Sequence, residues 1–210
     1  GARRKVVGAG HGEADEILMS DSIYVLFLDT ERVRLAKASG DHIGFQEIEG
    51  SAAGEPSEVA SRSIKALRSS GYRGESVLLA LPSSWCLVAS IVIHDLPPRG
   101  GREAKLYRLE EKLPVEAELV VADFIAHHGS ALGVAVASDR IQPIIEELEA
   151  QGVLIESVVP TALLAVQGLH EDSAVVLSCD GPWVDLLQVH DGVPVLWRLL
   201  DQSAKGVALE

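Results

Sequence analysis

The adjacent histidines His127 and His128, with Asp123 close by in the chain, are residue types that can bind a transition metal. Imidazole nitrogens and carboxylate oxygens are common zinc ligands. However, neighbouring residues on a regular β-strand point to opposite faces, so two adjacent imidazoles cannot reach one ion from such a strand. The sequence therefore predicts a solvated hairpin end at this point and no metal site.

Serine hydroxyls are the next candidates for chemistry, because a serine activated by a histidine and an aspartate is a nucleophile. Ser83, Ser84 and Ser178 have no evident histidine and aspartate partners in the sequence. Partners that only folding brings together stay open at this point. We therefore predict no catalytic residues, and we expect a protein that is not an enzyme.

A glycine-rich stretch near the start of the chain, Gly8-Ala9-Gly10-His11-Gly12, superficially resembles a dinucleotide-binding turn. Only a short apolar run precedes it, the third correctly spaced glycine is missing, and no helical apolar period follows it. Residues 1–20 as a whole mix glycine, alanine and charged residues without any period. We expect them to form a flexible lead-in.

The composition is that of an acidic protein with an aliphatic core. The chain has 210 residues, with 31 Asp and Glu against 18 Lys and Arg, and a formal net charge of −13. Such a surface repels phosphate backbones and anionic lipid, so we expect neither nucleic acid nor a membrane surface as a partner. It suits a basic partner, although many soluble proteins are acidic without one. Aromatic residues make up only 4%, which favours a sheet covered by helices.

The cysteines and the lengths of the apolar runs indicate the cellular compartment of the chain. Cys86 and Cys179 each lie within an apolar run and lack a second cysteine or a histidine at metal-ligand spacing. We expect both to be buried, reduced thiols, as in a reducing compartment. No apolar run approaches the ~20 residues that span a bilayer, and no signal-peptide apolar region follows the basic N-terminus. The sequence predicts a soluble cytoplasmic chain without direct membrane insertion.

Three apolar stretches in close order predict a β-meander near the start of the chain. They cover residues 22–29, 32–39 and 42–49, and short polar joins of the kind that hairpins require separate them. In the third stretch we expect Ile43, Phe45 and Ile48 near one face, with a small irregularity between them.

Helices and strands alternate through the middle of the chain. Pro56 is placed to begin a helix and Gly71 to end it. Asp139 is placed to cap a later helix. The predicted elements are strands at 76–81 and 86–93, a helix at 102–113, paired strands at 119–127 and 131–137, a helix at 139–150, a strand at 153–159 and a short helix at 161–169.

The three-strand pattern returns at residues 174–179, 183–190 and 193–200. Asp191-Gly192 between the last two stretches is a strong hairpin signal. A meander at each end, with alternating helices and strands between, predicts an internally duplicated α/β unit whose second copy is cut short. We expect a first lobe at 21–170 with an inserted subdomain at about 85–138, and the start of a second lobe at 171–210.

Two short motifs sharpen this prediction. Lys112-Leu113-Pro114-Val115 follows a helix, and Val121-Ala122-Asp123-Phe124 follows soon after. The motifs and the order of elements over roughly residues 22–200 resemble the PilM and GspL family, the actin-like cytoplasmic components of type IV pilus and type II secretion systems. In that family the counterparts are a Tyr-Ile-Pro-Phe-like stretch and a Val-…-Asp-Tyr stretch. The resemblance implies an actin-like, ribonuclease H-like α/β fold with duplicated lobes and a truncated second lobe.

By this resemblance, a nucleotide would bind between the lobes, where glycine-rich turns approach phosphate and an aspartate holds Mg²⁺ through water. Asp29 and Asp180 are the candidate cofactor-binding residues, with plain hairpin-turn residues as the simpler alternative. The turn after Asp29 has no glycine and carries the negative charge of Glu31. The turn after Asp180 contains Pro182, which has no N–H donor, and the bulky Trp183. We therefore expect a degenerate site with no cofactor, with ATP and Mg²⁺ as the alternative.

The resemblance also implies a partner-binding region. It places the helix at 102–113 and the residues after it in the inserted subdomain that family members use to contact partners. In this region Glu110, Glu111, Glu116 and Glu118 form an acidic edge that suits a basic partner surface. The alternative is an ordinary amphipathic helix that packs on the sheet.

Two functions follow from these expectations. The first is a cytoplasmic scaffold or adaptor of a type II secretion or type IV pilus assembly platform, which would bind the assembly ATPase or a short peptide of an inner-membrane component. It would be peripheral to the inner membrane through its partners or through a segment beyond residue 210. The alternative is an active actin-like ATP-binding pilus assembly protein. An exposed last strand at 193–200 would in addition favour a homodimer.

Overall fold

The structure is a computed structural model that describes residues 22–29, 31–39, 42–96, 101–167, 169, 171–180 and 182–201. The predicted lead-in at 1–20, with its glycine-rich stretch, lies outside these residues. None of the helices in the described part of the chain is long and apolar enough to cross a membrane.

Eleven strands and four α-helices make up the described part of the fold. The strands are β1 Ile23–Leu28, β2 Val33–Ser39, β3 His42–Ile48, β4 Ser76–Leu81, β5 Cys86–Val92, β6 Val120–His127, β7 Ser130–Ala137, β8 Leu154–Pro160, β9 Ser173–Asp180, β10 Trp183–His190 and β11 Val193–Asp201. The helices are α1 Pro56–Ser69, α2 Gly101–Glu110, α3 Ser138–Ala150 and α4 Thr161–Gln167. Single 3₁₀ turns at Ser83–Trp85 and Ala117–Leu119 precede β5 and β6.

The first sheet has the strand order β3-β2-β1-β4-β8. Strands β1 to β3 form the predicted antiparallel meander, and β4 and β8 run parallel to β1. Alternate residues of β1, namely Tyr24, Leu26 and Leu28, are completely buried in the same core as the apolar faces of α1 and α3. This arrangement buries one face of the sheet under two helices, as the aliphatic composition predicts.

The helix boundaries have local causes. Pro56 begins α1 because its fixed φ suits the first helical turn, and Gly71, with a φ of 86°, follows its end. The prediction that Asp139 caps α3 is wrong. Strand β7 runs straight into the helix, so Ala137 occupies the cap position without a side-chain hydrogen bond, and Asp139 lies in the first turn. Its carboxylate there interacts favourably with the helix dipole.

Strand β3 also differs from the prediction. Ile48 is buried, but Ile43 and Phe45 are exposed. The β2–β3 register runs from Val33 opposite Ile48 to Ser39 opposite His42 without a shift, so strict alternation places Ile43 and Phe45 on the face opposite Ile48. The expected irregularity does not occur.

The second sheet, with the order β5-β7-β6, is antiparallel and carries α2 on one face. Leu109 of α2 is completely buried against it. A Cβ atom at Gly133 of β7 would lie 2.7 Å from Leu109 Cδ1 and 3.2 Å from Phe124 Cε1. Glycine at this position therefore allows the helix to approach the sheet closely.

The third sheet is the predicted second meander, with the order β11-β10-β9. Asp191 and Gly192 both have positive φ, at 51° and 71°, as a two-residue type I′ hairpin requires. Leu187, Val189 and Trp197 of this sheet pack in one core with Leu132 of β7. The second and third sheets therefore share a hydrophobic interface.

A buried carboxylate joins the third sheet to the rest of the chain. Asp185 of β10 is only 3% exposed. Its Oδ2 accepts a hydrogen bond of 2.8 Å from the Ser83 hydroxyl, and its Oδ1 accepts one of 2.7 Å from Trp197 Nε1. A buried carboxylate is tolerated only when its oxygens are bonded in this way.

We predict that Asp185→Ala lowers the free energy of unfolding by about 3 kcal/mol, because it leaves two buried donors without an acceptor. Asp185→Asn keeps one acceptor oxygen and should therefore lower the free energy of unfolding by a smaller amount. Urea denaturation of each variant measures the change. Asp123→Ala, which removes an exposed carboxylate, is the control and should stay within about 0.5 kcal/mol of the wild type. An Asp185→Ala protein as stable as the control would show that this junction does not hold the third sheet in place.

Candidate partner-binding groove

An apolar groove separates the first sheet from the second. Its volume is ≈ 400 Å³. Strand β8 forms one wall through residues 158–160, and β6 forms the other through residues 121–123 and 125. Leu81, Cys86, Leu163 and residues 134–136 of β7 complete the apolar lining, and Arg102 stands at one side.

Both walls of the groove are edge strands. Strand β8 ends the first sheet, and β6 ends the second. An edge strand keeps one row of backbone N–H and C=O groups available for pairing with another chain. Val121 and Val158 are exposed on these strands. The groove therefore offers an extended segment apolar side chains and, apart from the Ala122 carbonyl that Arg102 occupies, the backbone hydrogen-bonding groups of two strand edges.

Arg102 links α2 to the wall that β6 forms. Its Nη2 donates a hydrogen bond of 2.7 Å to the Ala122 carbonyl, and its Nη1 lies 3.8 Å from Asp123 Oδ1. Both charged side chains are largely exposed, so the ion pair contributes little to stability. The pair places one positive and one negative charge at the rim of an otherwise apolar groove.

Cys86 lies in the groove and carries a neutral thiol. Burial, and to a smaller extent the negative charge of Asp185, raise the pKa of Cys86 to about 12. Its Sγ lies 3.7 Å from the Pro82 carbonyl oxygen, as a weak donor would. The expectation of two buried thiols holds only partly, because Cys86 is half-buried whereas Cys179, on the outward face of the edge strand β9, is exposed.

The four predicted partner-binding glutamates lie on one segment. Glu110 ends α2 and is half-buried, while Glu111, Glu116 and Glu118 are exposed. Glu116 and Glu118 flank the start of the 3₁₀ turn that leads directly into β6. Among the described residues, none of the four forms an ion pair. The structure therefore places a run of negative charge next to the groove.

Of the two predicted cofactor-binding aspartates, Asp29 directly follows β1 and Asp180 ends β9. Asp29 is buried, and its Oδ1 accepts a hydrogen bond of 3.3 Å from the Glu31 backbone N–H. Its Oδ2 lies 4.0 Å from Arg32 Nε, and its own backbone N–H bonds to the Arg32 carbonyl. The Asp29 carboxylate thus takes part in its own hairpin turn. Asp180 is the last residue of β9, and its side chain lies outside the described residues.

The prediction that the His127 and His128 rings diverge is wrong. His128 has left the strand, since its φ of 43° places it in the turn between β6 and β7. Both Nε2 atoms lie 3.1 Å from the same oxygen, Oδ2 of Asp191, in the turn between β10 and β11. The carboxylate partner is therefore Asp191, which sequence proximity did not indicate, and not Asp123.

The serine hydroxyls do not form a catalytic arrangement in the described part of the chain. Ser83 donates directly to Asp185, whose other oxygen accepts from Trp197, whereas a catalytic triad needs a histidine between the serine and the aspartate. Sequence reasoning missed Asp185 as a structural residue. The available signal was its position on β10, where a charged residue shares a face with Leu187 and Val189.

Comparison with solved structures gives relatives of this fold at low sequence identity. The cytoplasmic domain of EpsL, an inner membrane component of the type II secretion system of Vibrio cholerae, matches with a TM-score of 0.63 and 15% identity over 86% of this chain and 71% of that domain. A chain of the PilM-PilN type IV pilus biogenesis complex matches with a TM-score of 0.68 and 16% identity over 85% of this chain and 61% of that one.

A protein of unknown function with an actin-like ATPase fold from Bacteroides thetaiotaomicron matches with a TM-score of 0.53 and 10% identity, over 90% of this chain and 74% of that one. No protein-family model and no curated protein matches the chain. The actin-like fold is thereby confirmed, and the resemblance to PilM and GspL is confirmed at the level of the fold.

We predict that the two cysteines differ strongly in reactivity. With a pKa of about 12, Cys86 has only about one thiolate in ten thousand at pH 8, and the thiolate is the reactive form. Iodoacetamide at pH 8, followed by mass spectrometry of the peptides, should modify the exposed Cys179 first and leave Cys86 intact. Asp185→Asn removes a neighbouring negative charge and should lower the pKa of Cys86 and speed its alkylation. Equal alkylation rates at the two cysteines of the wild type would contradict a raised pKa of Cys86.

Proposed function

We propose that this chain is a cytoplasmic scaffold or adaptor of a type II secretion or type IV pilus assembly platform, and that it acts by binding a protein segment. The observation that carries the proposal is the apolar groove between the edge strands β6 and β8. Such a groove fits an extended peptide that adds backbone hydrogen bonds to a sheet edge and places alternate side chains in an apolar channel. The matched proteins named as a secretion component and as part of a PilM–PilN complex support this setting.

The charges beside the groove favour one kind of partner. Glu111, Glu116 and Glu118 place exposed negative charge next to the start of β6. An apolar segment flanked by Lys or Arg would therefore bind with complementary electrostatics. Inner-membrane proteins carry such an excess of Lys and Arg on the cytoplasmic side of their membrane spans. We propose the cytoplasmic segment of an inner-membrane platform component as the occupant, which would hold this chain at the inner membrane.

The structure of the turn at Asp29 favours a scaffold function over ATPase activity. The Asp29 carboxylate accepts a hydrogen bond within its own hairpin, and Glu31 adds negative charge at the same turn. In the corresponding turn after β9, Pro182 has no N–H to offer a phosphate. Both features oppose phosphate binding, so we propose a degenerate nucleotide site and no enzymatic activity. Binding of the assembly ATPase and formation of a homodimer stay predictions.

We predict that Val121→Asp and Val158→Asp each weaken binding of the partner segment by more than about tenfold, because each places an unpaired charge in the apolar groove. Val175→Asp is the matched control, since Val175 is also an exposed valine on a strand but lies on β9, away from the groove. The probe is the cytoplasmic segment of the cognate inner-membrane platform protein, labelled with a fluorophore. Anisotropy titration against each variant measures the dissociation constant.

A double variant, Glu116→Lys with Glu118→Lys, tests the charge argument separately. It should slow association and reduce the salt dependence of binding, because rim charges act mainly on the association rate. Circular dichroism confirms that each variant is folded. Binding that is lost only in the Val175→Asp control, or that is unchanged in both groove variants, would rule out the groove as the binding site.

A further inference from the structure

The side chains of His127, His128 and Asp191 meet at one point, although they come from two different sheets. His127 ends β6, His128 occupies the β6–β7 turn, and Asp191 occupies the β10–β11 turn. One ligand atom from each residue can be chosen so that all three atoms lie within 4.8 Å of one another. From this geometry we propose that the three residues bind a single divalent transition metal ion of the zinc class, which links the two hairpins.

The donor set matches this class of ion. The two imidazole nitrogens are borderline ligands that bind zinc and its neighbours in preference to Mg²⁺ or Ca²⁺, and a carboxylate oxygen is a further ligand that zinc accepts. At metal–ligand distances of about 2.0–2.1 Å, the ligand atoms of a tetrahedral site lie about 3.3 Å apart. Each histidine Nε2 is already 3.1 Å from Asp191 Oδ2. All three ligand atoms lie within 4.8 Å of one another, so the side chains must draw together around one ion by no more than about 1.5 Å in any pair.

The backbone makes this convergence possible. Among the described residues, His128 and Asp191 are the two residues other than glycine with positive φ, at 43° and 51°. Each is followed by a glycine with positive φ, so both hairpins have type I′ turns. The left-handed conformation turns His128 out of the strand alternation and brings its ring to a centroid distance of 4.2 Å from that of His127.

The surroundings of the three residues also suit a cation. His127 is only 20% exposed, whereas the other two ligands are open to solvent. Beside the two histidines lies a cavity of ≈ 300 Å³ that Ser90 and His190 also line. Water or a donor atom from another molecule could enter this cavity next to the two histidines.

Calorimetric titration of the chain with Zn²⁺ alone tests the proposal. The protein is used without an oligohistidine tag and in a Cys179→Ser background, because a tag or the exposed Cys179 thiol would bind zinc independently. We expect one equivalent of zinc to bind. His127→Gln and Asp191→Asn should each raise the dissociation constant more than about tenfold. Asparagine is chosen at 191 because it tolerates the left-handed conformation of the turn.

His42→Gln is the matched control, because His42 is an exposed histidine on β3 of the first sheet. It should bind zinc as the parent does. Two-dimensional NMR of the histidine rings gives a second readout that needs no ligand variant, and zinc should shift the His127 and His128 resonances but not that of His42. The proposal is overturned if the parent binds no zinc up to millimolar concentration, if His42→Gln weakens binding as much as Asp191→Asn, or if zinc leaves the His127 and His128 resonances unchanged.

Discussion

The Asp185 carboxylate, buried among apolar side chains, ties the third sheet to the turn that connects the first sheet to the second. A carboxylate in such a place is stable only with its oxygens bonded, and its donors are Ser83 in the 3₁₀ turn after β4 and Trp197 on β11 of its own sheet. The Ser83 hydrogen bond therefore holds the third sheet against this turn. In this arrangement Leu187 and Val189 pack in one core with Leu132 of the second sheet.

The hydrogen bond between Ser83 and Asp185 also affects the position of the groove walls. Because β5 begins at Cys86, immediately after the 3₁₀ turn that contains Ser83, the contact that fixes the third sheet also fixes one end of the second. The second sheet then leaves its β6 edge facing the β8 edge of the first, with Cys86 held neutral between them. An actin-like fold thereby gains an apolar channel between two strand edges, a feature suited to protein segments more than to phosphates.

Patterns with a strong local cause were predictable from the sequence. Both meanders, the start of α1 at Pro56 and the hairpin at Asp191-Gly192 follow from alternation, proline geometry and turn chemistry, and the structure has them all. The predictions fail where long-range packing or a single backbone dihedral angle determines the direction in which a side chain points. The exposure of Phe45 depends on which face of an edge strand the helices cover, and the direction of the His128 ring depends on one positive φ.

The groove itself was not predictable, since its walls come from strands that are far apart in the chain and belong to different sheets. The acidic segment beside it was visible in the sequence, because four glutamates close together need no knowledge of the fold. For Asp29 the sequence showed the missing glycine, and the structure added that its carboxylate hydrogen-bonds within its own turn. The site is therefore a combination of local charge, which a sequence displays, and strand edges, which only the assembled sheets create.

We propose that this actin-like fold serves protein binding and has lost nucleotide binding. Calorimetric and thermal-shift titration with ATP and Mg²⁺ tests it most directly, because a ligand at ~100 times its dissociation constant stabilises a protein by roughly 2.7 kcal/mol. We expect no heat of binding and no thermal shift at millimolar Mg²⁺–ATP. A Mg²⁺-dependent shift that disappears in Asp29→Ala would contradict it and would identify an active actin-like ATP-binding protein.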